Sequence, residues 1–89
     1  QGISQQKILN EPVTVRSRSG GERFTPACNR PRRSLKKLLQ EAVIPPWERI
    51  VMPLLFCGEK LIWVPGIGID CEFQVKSDEI GILPTWDPE

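Results

Sequence analysis

The chain has 89 residues, with twelve Lys and Arg against eleven Asp and Glu for a net charge of +1, and no histidine. A chain this short buries only about 60–65% of the surface its unfolded form exposes, so it can build one thin core. Several classes are thereby excluded: the usual general base near neutral pH is missing, no apolar run reaches the roughly 18–20 residues of a membrane span, and no signal-peptide pattern opens the chain.

The expectation is a soluble, cytoplasmic domain with no membrane contact. The chain begins at Gln1 and its only methionine is Met52, so it reads as a piece of a longer parent. Cys28, Cys57 and Cys71 are odd in number, form no Cys-x-x-Cys pair and have no histidine to complete a zinc site. Reduced thiols and no metal are therefore expected.

Residues 1–11 are polar with little periodicity and read as a linker or disordered end. Val13 and Val15 alternate with Thr14 and Arg16, the period of a half-buried strand, which puts Arg16 and Arg18 on one face. Ser19-Gly20-Gly21 breaks that strand, and Pro26, Asn29 and Pro31 make a loop of the next stretch. Leu35, Leu38, Leu39 and Ala42 recur at helical spacing behind Ser34, a good N-cap, and predict a helix of about three turns closed by Pro45-Pro46. A short turn covers Trp47 to Arg49. Leu54 to Cys57 and Leu61 to Val64, joined at Gly58-Glu59, predict a hairpin. Ile67, Ile69, Cys71, Phe73 and Val75 alternate with polar residues as in an amphipathic strand, and a last strand is expected near Ile80 to Leu83. The sum is a β-rich α+β domain with one main helix and about five strands, spanning 12–84 and followed by a tail at 85–89.

The near-neutral net charge hides a separation of signs. Arg16, Arg18, Arg23, Arg30, Arg32, Arg33, Lys36 and Lys37 stand together with Glu22 as their only acidic neighbour, whereas past Gly66 six carboxylates face only Lys76. One region is built to meet anions. The sharpest signal lies at the start of the predicted helix, where Arg32, Arg33, Lys36 and Lys37 crowd an end that already carries positive partial charge. Lys37 occupies the position where a capping box prefers Glu or Gln. A sequence that breaks local rules this consistently points to an external anion, and phosphate fits helix amides, guanidinium forks and ammonium groups together. A solvated basic face without a partner is the plainer alternative.

Catalysis by this chain is disfavoured. Asp70 and Glu72 would share one strand face but alternate with apolar neighbours, the pattern of a solvated outer face. Ser19-Gly20-Gly21-Glu22-Arg23 is weakly similar to the Ser-Gly-Gly-x-Asp-Ser loop of ATP pyrophosphatases, yet Arg23 and Phe24 stand where the aspartate and serine belong. Trp63 reads as core. Trp47 could be half exposed, but packing against the leucine face of the helix is the expected role, and Trp86 is left undecided.

Taken together, Val15-Arg16 with Arg18, Gly20-Gly21-Glu22-Arg23-Phe24, Ser34-Leu35-Lys36-Lys37-Leu38, Ile44-Pro45-Pro46-Trp47-Glu48-Arg49 and Pro53-Leu54-Leu55 resemble the C-terminal domain of tRNA-isoleucine lysidine synthetase. Leu61 to Gly68 is similar to that family too. The resemblance implies a fold like that of a domain of the phenylalanyl-tRNA synthetase beta subunit. It implies a binding domain that is no enzyme by itself, within a parent ligase that joins lysine to the wobble cytidine of isoleucine tRNA. ATP and magnesium would belong to a separate N-terminal domain of that parent, with no cofactor in this chain. The implied partners are the tRNA acceptor region and the parent's own catalytic domain, and a homodimeric parent is left open. The implied RNA-contact residues are Arg23, Lys36 and Lys37 first, then Arg32 and Arg33, with Arg16, Arg18 and Arg49 as further candidates. Glu22, which would repel phosphate, is expected to be a local orienter, with a neighbouring arginine as one partner open to it. Where the family often has a glycine-rich loop, this chain has Thr25 to Pro31. The alternative function is an interdomain structural module without RNA contact.

Overall fold

A computed structural model describes residues 2–86; Gln1 and residues 87–89 lie outside it. Among the described residues the order is β1 (Ile3–Ser4), a 3-10 turn at Gln6–Ile8, β2 (Val13–Arg16), β3 (Arg23–Phe24), β4 (Arg33–Ser34), α1 (Leu35–Glu41) and α2 (Pro46–Val51). Then come β5 (Leu54–Cys57), β6 (Lys60–Val64), β7 (Gly68–Ile69), a second 3-10 turn at Cys71–Phe73, and β8 (Gly81–Ile82). The predicted β-rich α+β class is what forms, on more and shorter strands than expected.

The β5–β6 hairpin is the centre of the molecule. Gly58 turns it at φ 60°, a left-handed value that a side chain would oppose. β2 and β7 flank the hairpin, so the four-stranded antiparallel sheet has the order β2-β5-β6-β7. The apolar run of β5 carries almost no polar alternation because both faces of this sheet are covered. On one face Leu54, Phe56, Leu61 and Val64 pack with Phe24, Leu35, Leu38, Leu39 and Met52. On the other, Cys57 and Ile62 meet Ile3 and Phe73. A register shift between Leu55 and Phe56 lets neighbouring side chains serve both layers.

α1 forms for the reasons its sequence predicts. Leu35 and Leu39 are fully buried, each contributing about 1.5–3 kcal/mol by leaving water, and the Ser34 hydroxyl accepts from the Lys37 amide at 3.3 Å. The helix is only seven residues long, not three turns. It ends before the prolines because Val43 turns to φ 57° and the Ile44 amide reaches back to the Leu39 carbonyl at 3.1 Å, a Schellman-type closure.

Other expectations are corrected. The linker expected at residues 1–11 holds β1, which pairs antiparallel with β8 and buries Ile3 and Ser4; the last predicted strand is therefore present, and its partner is the segment read as a loose end. β2 is not half-buried: all four residues are exposed, because it lies at the sheet edge with its neighbour β5 on one side only. The turn at Trp47 is instead the helix α2, started by Pro46 in its first turn, and Trp47 stands exposed on it instead of packing on the leucine face. The amphipathic strand predicted from Ile67 to Val75 survives only as β7. Asp70 stops it by accepting the Glu72 amide at 3.1 Å and capping the 3-10 turn, so Asp70 and Glu72 do not share a strand face. Trp63 is partly buried against the second core layer, and Trp86, within the expected tail, packs against the first.

Cys28 and Cys71 are disulfide-bonded, with Cα atoms 5.0 Å apart, which replaces the expected pair of reduced thiols. The reason is tertiary. The Thr25 amide donates to Asp70 Oδ1 at 3.0 Å and the Cys71 amide to the Thr25 carbonyl at 2.6 Å, so the proline loop is held on the 3-10 turn. Cys57 is a free, buried thiol, and burial pushes its pKa up.

Candidate nucleic-acid interface

The basic side chains are set out from the Ser19–Glu22 turn. Gly20 and Gly21 take φ 100° and 79°, and the Glu22 carboxylate fastens the turn by accepting from the Ser19 amide at 2.8 Å, the Ser19 hydroxyl at 3.0 Å and the Gly20 amide at 3.1 Å. Burial acts to raise this carboxyl, but those hydrogen bonds win and hold it below the usual 4.5. Glu22 is thus the local orienter expected, acting on the turn's backbone and the Ser19 hydroxyl and not through an arginine. From this turn the chain enters β3, where Phe24 is fully buried and Arg23 faces out. β3 pairs with β4 in the register Arg23 to Ser34 and Phe24 to Arg33, and Arg23 Nη2 donates to the Arg32 carbonyl at 3.2 Å.

Arg16, Arg23 and Arg32, which sit on three different segments of the basic stretch, come to line one cleft of about 500 Å³ together with the glycine turn. Arg16 is positioned by the sheet: its guanidinium lies 4.6 Å from the Phe56 ring centroid and donates to the Gly58 carbonyl at 3.0 Å, with Glu59 at 3.5 Å. Glu59, Lys60, Asp70 and Glu72 also line the cleft. Lys60 pairs with Glu72 at 2.9 Å, which raises the lysine pKa. The cleft therefore offers guanidinium donors and carboxylate acceptors together. Sequence reasoning missed this acidic side and the Phe56 platform, since neither is near the arginines in sequence.

The rest of the predicted set divides. Lys36 and Lys37 are exposed in the first turn of α1, and neither is in an ion pair among the described residues. Arg33 forms a forked pair with Glu41, Nη1 donating to Oε1 at 2.8 Å and Nη2 to Oε2. The Arg33 hydrogen bond is the main cause of a Glu41 pKa below 4.5; burial opposes it, and Lys37 and Arg30 add attraction. Arg49 Nε donates to the Ile44 carbonyl at 2.7 Å, tying α2 to the end of α1. Arg18 is half-buried, and its Nε has no partner. The single convergence of cations on the helix start is thus replaced by two groups, one in the cleft and one around Glu41.

Among the described residues no cluster of three or more His, Cys, Asp or Glu could hold a metal ion, and no helix is long and apolar enough to cross a membrane. Scaffold and surface together define a small β-rich α+β domain that displays cations along a two-strand ladder and the helix that follows it.

The chain belongs to the family described as the TilS substrate C-terminal domain, whose model matches residues 13–86. It is 56% identical over 87 residues to a tRNA(Ile)-lysidine synthase of Nitrosomonas europaea, covering 98% of this chain and 19% of that protein. With the corresponding synthase of Coxiella burnetii it shares 46% over 82 residues, 91% of this chain and 18% of the relative. A solved structure described as a crystal structure of the TILS C-terminal domain superposes with a TM-score of 0.72 at 25% identity, covering 83% of this chain and 58% of that one. The chain thus spans about a fifth of the length of these curated relatives.

Proposed function

We propose that this domain grips tRNA at its acceptor region, with Arg23, Arg32, Lys36 and Lys37 meeting phosphates. Arg16 and Arg18 are secondary contacts, and Arg33 and Arg49 hold the scaffold in shape. The observation that carries this reading is the placement of Arg16, Arg23 and Arg32 in one cleft beside a glycine turn, in a chain of the TilS substrate C-terminal domain family. Phosphate contacts fix position without reading bases, so the domain serves as a shape-guided anchor. In a cytoplasmic polypeptide of the relatives' length, that anchor supports ATP-dependent attachment of lysine to the wobble cytidine by a separate N-terminal domain. ATP and magnesium act there.

The test is a salt titration of tRNA binding. Replacing Arg23, Arg32, Lys36 and Lys37 by alanine lowers the slope of log K against log salt by about one for each phosphate that is no longer neutralised. An unchanged slope in a folded variant refutes the reading. One observation favours a second reading, an interdomain structural module: Glu59, Asp70 and Glu72 line the same cleft as the arginines and would suit a protein surface of mixed charge. Gel shift of the domain with tRNA separates the two.

A further inference from the structure

Helix α2 is amphipathic the wrong way round. Trp47, Ile50 and Val51 fall at positions i, i+3 and i+4 and so share one face. They are 72%, 74% and 66% exposed. Its charged residues, Glu48 and Arg49, are the ones turned partly inward, and Arg49 is fixed there by its bond to the Ile44 carbonyl. A helix placed only to cover this domain's core would point its apolar residues the other way, as α1 does with Leu35, Leu38 and Leu39. We infer that the Trp47–Ile50–Val51 face is a docking surface for another domain of the same polypeptide.

Three observations select that occupant. The matched relatives carry about four-fifths of their length outside the aligned region, so a tethered protein surface exists in polypeptides of that kind. Three side chains on a helix of six residues fall far short of the roughly 800 Å² per partner that a free-standing complex needs, which argues against a second copy. A tethered domain meets its site at an effective concentration on the order of millimolar and needs no such area. RNA is disfavoured because two of the three side chains on this face are branched aliphatics, which neither stack on bases nor neutralise phosphate, and Arg49, the cation of this helix, is turned away to the Ile44 carbonyl. Trp47 is the anchor, being large and apolar with an indole N–H for a polar rim. This inference does not depend on the RNA contacts proposed above.

Cysteine labelling in a polypeptide of the relatives' length tests it. Within this chain Cys57 is buried and Cys28 and Cys71 are bonded, so, with cysteines elsewhere in the polypeptide replaced by serine, a thiol introduced as Ile50→Cys reports on α2, with Gln40→Cys on the exposed side of α1 as reference. The expected result is maleimide reaction about tenfold slower at residue 50 than at residue 40, unchanged by added tRNA or by dilution, and accelerated by Trp47→Ala. Val51→Cys gives the same protection if Ile50→Cys disturbs the fold. Equal rates at both positions overturn the inference. Protection that appears only with tRNA assigns the face to RNA, and protection that disappears on dilution assigns it to a second copy; either result also overturns it.

Discussion

Arg33 and Glu41 close a forked ion pair from the last strand before α1 to the last residue of that helix. The pair occupies a guanidinium that the sequence alone would offer to phosphate, and it places a carboxylate among Arg33, Lys37 and Arg30. Arg33→Ala is therefore expected to leave the salt slope of tRNA binding nearly unchanged, whereas Arg32→Ala, one residue earlier, lowers it by about one. Parallel salt titrations of the two variants decide the point, and an equal drop in slope would return Arg33 to the phosphate-binding residues.

Acid should release the Glu22 turn. Glu22 is held below 4.5 in the folded chain, so its contribution to stability is full above that value and disappears as pH falls through the folded pKa. Wild type and Glu22→Gln should differ in stability at pH 7, by about 1 kcal/mol for a charge-assisted bond near the surface, and converge in acid. Urea denaturation at several pH values measures the gap; a constant gap would mean that the carboxylate charge does not fasten the turn.

The Cys28–Cys71 bond joins residues 43 apart in sequence and closes a loop that includes β4, α1 and α2. Reduction, or Cys28→Ser, is expected to cost about 2–4 kcal/mol of unfolding free energy. Denaturation with and without reductant reads this directly. An unmoved midpoint would mean that hydrogen bonds such as Thr25 to Asp70 suffice to hold the loop.

Val43 is a β-branched residue in the left-handed region and is largely exposed. Its side chain is strained where a helix C-terminus favours glycine, so Val43→Gly should stabilise the domain by about 1 kcal/mol. Thermal melting checks the sign, and destabilisation would show that the valine makes a compensating contact.

The sequence by itself determined what depends on near neighbours. Ser34 with Leu35, Leu38 and Leu39 specifies a capped helix, and Gly58 between two apolar runs specifies the hairpin, because capping, spacing and turn geometry act over a few residues. The separation of basic from acidic residues was equally plain. Only the tertiary structure decided where each cation points. Arg16 settles over Phe56, forty residues away, and the edge position of β2 leaves its valines in water. It also decided that Ile3 is core and that a perfect alternation from Ile67 to Val75 stops at Asp70, since Ile3 finds its strand partner in β8 and Asp70, besides capping its own turn, is held by the distant Thr25 amide. Periodicity states which residues can share a face; long-range packing alone states whether anything lies against that face.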